Sequence, residues 1–233
     1  MERVPESGDG VTQVKLVFAL WGAGDLLAAE LAERLGAAGV ETAQVNISDS
    51  AVAQAMVRLT AFDAPVQAVV SVWLRDEQGV EAVAEVLAAV ADRVVGWRVE
   101  AVSPIELPAV AIGERAAGLS NIAFLRRPAD QPYDEWLDYW RNQHTEIAIA
   151  TQATFGYVQN RVIGAATDGA PEVAAVIEEL FPIEALTDPH AFYGSGGDNA
   201  ELARRFDRLM TSVAKFGADK NIDVVPTSRY RIL

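Results

Sequence analysis

An α+β fold of two tandem units, packed sheet to sheet within one chain, is what the sequence predicts. Three observations carry it. Strand and helix patterns run in the same order twice along the 233 residues, the closing strands of the two halves echo one another, and 51% hydrophobic content supplies a sizeable core. The repeated order, strand, helix, strand, strand, helix, strand, is that of a ferredoxin-like unit, an antiparallel sheet with its helices on one face. RVEAVSPIEL and NIDVVPTSRYRIL each close a half with an acidic residue and then a proline. The bare faces of two such sheets can bury each other. The units are bounded at 13–112 and 113–233. The alternative is two independent domains joined near residues 109–118.

Residues 1–12 read as a flexible tail without the apolar run of a secretory signal. VKLVFALW (14–21) reads as a strand, LLAAELAERLGAAG as a helix ending at Gly36 or Gly39, and VETAQVNI as a second strand. The amphipathic stretch DSAVAQAMVRLTAF leads to Pro65, and VQAVVSVWL beyond it is β-branched enough for a mostly buried strand. Residues 80–94 read as helix, and WRVEAVSPIEL as a strand with Pro104 suited to its edge or end. In the second half NIAFLRRP is a strand and a helix starts near Pro132. FGYVQNRVIG is bracketed by glycines and alternates as a strand, and the position of PEVAAVIEELFP favours strand over helix. A last helix spans 199–215, opened by Asp198 or Asn199 and ended near Gly217, before the final strand IDVVPTSRYRIL.

Nineteen Lys and Arg against 33 Asp and Glu give a net charge of −14, so a nucleic-acid partner is not expected. The chain has no cysteine, which removes disulfides, thiolate metal sites and cysteine nucleophiles. Its longest apolar windows fall short of a membrane span. A cytoplasmic protein is the expectation, with assembly into a homo-oligomer through an exposed strand edge left open.

Two histidines, His144 and His190, are the neutral-pH acid–base candidates. Trp136, Trp140, His144 and Ile147 or Ala148 follow at spacings that share one helical face, and Tyr133 and Leu137 extend it. That places an imidazole on an aromatic stripe facing the sheet, where desolvation lowers its pKa and keeps it neutral, as a general base requires. The competing reading is a core histidine satisfied by backbone or a tyrosine, on a stripe that is only packing.

FLRRPADQPYDEWLDYWRNQHTEIAIA followed by FGYVQNRVIG resembles an EthD domain over roughly residues 119–233. The likeness rests on Trp136, the Tyr139-Trp140 pair, His144 four positions after that Trp, and a following strand with Tyr157, Gln159 and Asn160. The first half matches only in layout. The resemblance implies the dimeric α+β barrel superfamily, here closed within one chain, with a pocket between a sheet face and its helices into which His144 points. Small-molecule members of that superfamily include polyketide cyclases, isomerases, monooxygenases and haem-degrading enzymes.

Alternation puts Tyr157, Gln159 and Arg161 on one strand face and Asn160 on the other. Tyr157 and Gln159 are expected towards the helices, Asn160 towards the other half, and Arg161 is a candidate for holding a carboxylate or enolate, against the commoner solvated salt bridge. His190 stands in LTDPHAFYGSGGDNAEL, where Gly194, Gly196 and Gly197 allow a lid and Phe192 and Tyr193 could cover a flat ligand. Neither a phosphate loop nor paired metal ligands occur. Haem needs one axial ligand, which His144 could supply, but few Arg or Lys near it could hold propionates, so no cofactor is expected.

The function expected is cofactor-independent acid–base chemistry, of cyclase, dehydratase, isomerase or decarboxylase type, on a hydrophobic aromatic or polyketide-like ligand. In it His144 moves a proton, Tyr139 or Tyr157 donates to a developing enolate, and Trp136 and Trp140 stack on the ligand. The expectation includes a cavity of at least ~300 Å³ beside His144. The other readings are a non-catalytic binding protein and a cofactor-independent monooxygenase.

Overall fold

The computed structural model describes residues 13–233, and the expected tail 1–12 lies outside them. The first half contains β1 (Val14–Trp21), α1 (Ala29–Ala37), β2 (Val40–Ile47), β3 (Ala68–Leu74), α2 (Val80–Ala88) and β4 (Arg93–Ile105). The second contains β5 (Leu119–Leu125), α3 (Tyr133–Asp138), a π-helical turn (Tyr139–His144), α4 (Thr145–Thr151), β6 (Gly156–Ala165), β7 (Ala175–Phe181), α5 (Pro189–Tyr193), α6 (Asn199–Lys215) and β8 (Asp223–Arg231).

The strands close in the order β1-β3-β2-β8-β5-β7-β6-β4. Read from β4, this is 4-1-3-2 followed by 8-5-7-6, the same ferredoxin-like order twice. The seams are antiparallel: β2 pairs with β8 from Ile47 opposite Ser228, and β4 with β6 through Glu100 opposite Arg161. The fold is therefore an intrachain dimeric α+β barrel, as the sequence predicts. Closure pairs every strand on both sides, so the strand-edge route to assembly is absent among the described residues.

Alternation divides the core into layers. Leu16, Phe18 and Leu20 of β1 face α1 and α2, whereas Val17, Ala19 and Trp21 point into the barrel with Trp97, Ile122, Phe124 and Val176. On the outer face of the second half, Ala123, Tyr157 and Ile177 meet Trp136, Trp140, Leu209 and Phe216. The barrel interior also holds a polar group of residues at one end. Lys15 Nζ donates to Glu178 at 2.7 Å, Gln44 and Asn160 donate to the same carboxylate at 2.7 and 3.0 Å, and Arg229 Nε donates to Gln44 at 2.6 Å.

Three elements differ from expectation. The helix expected to 94 stops at Ala88, because Asp92 donates its backbone N–H to Trp21 and Arg93 already pairs with it in the sheet. The helix after Asp25 begins only at Ala29, since the Asp25 carboxylate accepts from Leu27 and holds a turn. The stretch 49–62 forms one short turn at Ser50–Val52 and then an irregular strap that crosses to the second half. There Leu59 exchanges backbone bonds with Val224, and Asp223 accepts the N–H groups of Ala61 and Phe62 at 2.7 and 3.0 Å. The final helix is capped by Asp198, which accepts from Ala200 and Glu201. Past its end Gly217 has φ +79°, and a Cβ there would sit 2.2 Å from Pro128.

Candidate functional site

The helix that carries the aromatic stripe is widened by one residue at its centre. Thr145 N–H bonds to Trp140 O, five residues back, and the Thr145 hydroxyl donates to the same carbonyl. Such π turns recur at functional sites. Trp136, Trp140, His144 and Ala148 are all buried against the sheet. Trp136 stacks on Trp140 at 5.3 Å and donates from Nε1 to Phe216 O, so it forms the layer behind.

Between this helix, α6 and the outer face of β5, β7 and β6 lies a cavity of about 220 Å³. Trp140, His144, Tyr157, Phe192 and Tyr193 line it, together with Leu209, Val213, Phe216 and Ile177. Val57 and Leu59, from the strap of the first half, complete its wall. The volume is below the ~300 Å³ expected, because α6 packs Leu209 and Phe216 close to the sheet. For scale, a buried apolar cavity of ~150 Å³ takes up benzene. The space fits one substituted ring rather than a polycycle.

The floor carries polar groups in a row. Glu179 stands directly opposite Tyr157 on β6 and opposite Asn121 on β5, and all three line the cavity. Burial raises the Glu179 carboxyl to about 7, and burial, then the Glu179 charge, push the Tyr157 hydroxyl up, against a nearby Thr145 hydroxyl. Burial lowers His144 to about 4, so its imidazole is neutral around pH 7. The Ser212 hydroxyl joins His144 Nδ1 and Tyr139 OH, each at 3.0 Å, leaving Nε2 as the ring nitrogen that can meet a ligand. Two buried atoms on lining residues have no partner: Trp140 Nε1–H and Asn121 Oδ1.

Other expected residues stand elsewhere. Tyr139 does not line the cavity and is linked to it through Ser212 and His144. Gln159 faces the helices but donates to Thr145 behind the lining. Asn160 points into the barrel and donates to Glu178 and Val176 O, since alternation turns it away from Tyr157. Arg161 is engaged by Glu100 across the β4–β6 seam and by Tyr133, a salt bridge outside the cavity. His190 bonds Ser195 at 2.7 Å within its own turn, while its neighbours Phe192 and Tyr193 face the ligand space. Sequence reasoning passed over Glu179, Asn121 and Ser212. The signal for Glu179 was present in the pair Glu178-Glu179 inside an apolar strand, where alternation puts one carboxyl on each buried face.

No group of three or more His, Asp or Glu suited to a metal occurs among the described residues. Haem does not fit this site. The cavity of about 220 Å³ is too small for the macrocycle, and its lining contains carboxyl groups (Glu179, Asp219) and no Lys or Arg for propionates. No described helix is long and apolar enough to cross a membrane.

No protein-family model and no curated protein matches the chain. Among solved structures, an anthrone oxidase-like protein is similar at TM-score 0.51 and 11% identity, over 94% of this chain and 93% of that one. The likeness is one of fold, the dimeric α+β barrel. A mutant chlorite dismutase from Candidatus Nitrospira defluvii, in complex with cyanide, aligns over 93% of this barrel and 90% of its own chain, at TM-score 0.48 and 8% identity.

Proposed function

We propose that this barrel is a cofactor-independent acid–base enzyme for a small hydrophobic ligand, with Glu179 as the proton-transferring group. The observation that carries it is a carboxyl with a pKa of about 7 on the wall of an apolar cavity, opposite a tyrosine and beside a neutral histidine. A base is most effective when its pKa lies near the working pH, which suits Glu179 better than His144 at about 4. In this reading Glu179 takes a proton from a carbon next to a ligand carbonyl and returns it at the same or a neighbouring atom. Tyr157 O–H, Trp140 Nε1–H or His144 Nε2–H donates to the enolate oxygen meanwhile. Isomerisation and dehydration both begin with that step.

The EthD-like pattern around Trp140 and His144 supports the same reading; of units divided at 13–112 and 113–233, the second would supply the polar groups of the site and the first the wall of Val57 and Leu59. We assign the protein to the cytoplasm on its composition, and to a homo-oligomer only through surfaces other than strand edges.

The test is deuterium exchange. Single-ring methyl ketones are incubated in D₂O and the α-protons followed by NMR. Wild type is expected to speed exchange at least about a hundredfold, as positioned bases do, and Glu179→Gln to abolish the gain. Binding without exchange would move the protein to the binding class. Exchange unaffected by Glu179→Gln would overturn the role given to Glu179.

A further inference from the structure

We infer that the cavity selects an uncharged single-ring compound bearing both a hydroxyl and a second oxygen acceptor, of the hydroxyaryl ketone class, and rejects the matching carboxylate. This rests on the reading of the cavity as the ligand site and adds the chemistry of what enters it.

The first support is the pair of unpartnered atoms. Trp140 is fully buried and Asn121 is 3% exposed, yet Trp140 Nε1–H has no acceptor and Asn121 Oδ1 has no donor. Buried polar groups in folded proteins are nearly always bonded, so orphans on two residues that line the same cavity mark a place where a ligand supplies the missing partners. An indole N–H can only donate, and an amide oxygen can only accept. The complementary ligand therefore presents an acceptor oxygen to Trp140 and an O–H to Asn121.

The second support is charge. Glu179 and Asp219 line the cavity, and no Lys or Arg does. Lys220 approaches Asp219 at 3.8 Å from the outside and is exposed to solvent. A carboxylate ligand would bring a second negative charge beside Glu179 into low-dielectric surroundings with nothing to pair it. An ammonium could pair with Glu179, but it would offer Trp140 Nε1–H no acceptor and would be desolvated among Leu209, Val213 and Phe216. The neutral compound alone avoids both costs. The volume of about 220 Å³ limits it to one ring with short substituents.

The experiment is calorimetric titration at pH 7, where the ketone's phenol is protonated, with 4-hydroxyacetophenone, 4-hydroxybenzoate and tyramine, which share one ring and differ in charge. The ketone is expected to bind at least about tenfold more tightly than either of the others. Asn121→Leu should cost about tenfold for the ketone and leave acetophenone, which lacks the hydroxyl, within about twofold. Equal or tighter binding of the carboxylate or the amine would overturn the inference, as would the same loss for both ketones or no binding of any probe. Proton exchange is read separately. Exchange without this order of affinities would sink the ligand class and spare the acid–base reading, and this order without exchange would do the reverse.

Discussion

Tyr157 and Glu179 face each other directly across the β6–β7 pair, on the outer side of the barrel, with their side chains meeting the same cavity. Asn121 is the next residue in that row, opposite Glu179 on β5. Three polar side chains from three adjacent strands thus share a floor whose walls are aromatic and aliphatic. The pairing register fixes their order, so the row is as rigid as the sheet that carries it.

The raised pKa of Glu179 has a consequence for stability. Its carboxyl ionises near 4.5 in the unfolded chain and near 7 in the fold, so the unfolded state loses its proton first as pH rises. The folded state is favoured below about 4.5, and that contribution is lost between about 4.5 and 7. Glu179→Gln is expected to raise the melting temperature at pH 8 by several degrees, corresponding to about 2 kcal/mol, and to leave it unchanged at pH 4.5. His144 works the other way. Its pKa falls from 6.5 to about 4, so its contribution is present above 6.5 and lost towards 4. A melting-temperature gain for Glu179→Gln that is equal at both pH values would contradict this account.

The barrel interior makes a second prediction. Burial alone would raise Glu178, but the charge of Lys15 and the bonds from Lys15, Asn160 and Gln44 hold it below the usual carboxylate range. Lys15 belongs to β1 and Glu178 to β7, so the pair ties the two halves through the barrel rather than along a seam. Lys15→Met leaves a buried carboxylate without its cation and should cost about 3–5 kcal/mol in urea unfolding at pH 7. Adding Glu178→Met is expected to restore most of it. A double variant no more stable than the single one would show that the charge is not what Lys15 contributes.

How far the sequence reached depended on whether a feature was periodic. β1 and β2 start and end where alternation and glycine put them, and the repeated strand and helix order yields the closed barrel. Helical spacing found the face of Trp136, Trp140, His144 and Ala148, and the π turn kept that face intact. What periodicity cannot reveal is who sits opposite whom. Glu179 matters because β7 lies between β5 and β6, and Ser212 because α6 passes beside His144. Both are facts of tertiary register. The strap 53–62 was equally hidden. Its amphipathic pattern serves a wall for the other half of the chain, with Val57 and Leu59 turned to the cavity and its backbone held by Asp223.

Among the described residues Ser212 is the only group bonded to the His144 ring, and it also bonds Tyr139. It therefore orients the imidazole rather than touching the ligand itself. Ser212→Ala leaves Nδ1 buried and unbonded and should shift the tautomer balance of His144, read from its ring ¹⁵N chemical shifts, with a stability loss of about 1–3 kcal/mol. Ser212→Thr, which keeps the hydroxyl, should restore the wild-type shifts. Unchanged ¹⁵N shifts in Ser212→Ala would rule out the orienting role.

The end of the strap beyond the Leu59–Val224 backbone bonds is held by a buried carboxyl. One oxygen of Asp223 accepts the N–H groups of Ala61 and Phe62, and the other meets Arg126 Nη1 at 2.7 Å. The Arg126 guanidinium in turn lies 4.4 Å from the centre of the Phe62 ring, so the same ion pair pins the strap from both sides. Asp223 is 1% exposed. Asp223→Ala leaves two backbone donors and a guanidinium without their acceptor, and should cost about 3–5 kcal/mol overall. Asp223→Asn keeps the oxygen facing Ala61 and Phe62 and loses the charge facing Arg126, so its loss should be smaller. The reading specific to the cavity is local: amide hydrogen exchange at Leu59, Ala61 and Phe62 should accelerate in Asp223→Asn while that of β6 and β7 stays at the wild-type rate, and ligand release should quicken with it. If exchange rises equally in the strap and in β6 and β7, Asp223 supports the whole fold and does not govern the wall formed by Val57 and Leu59.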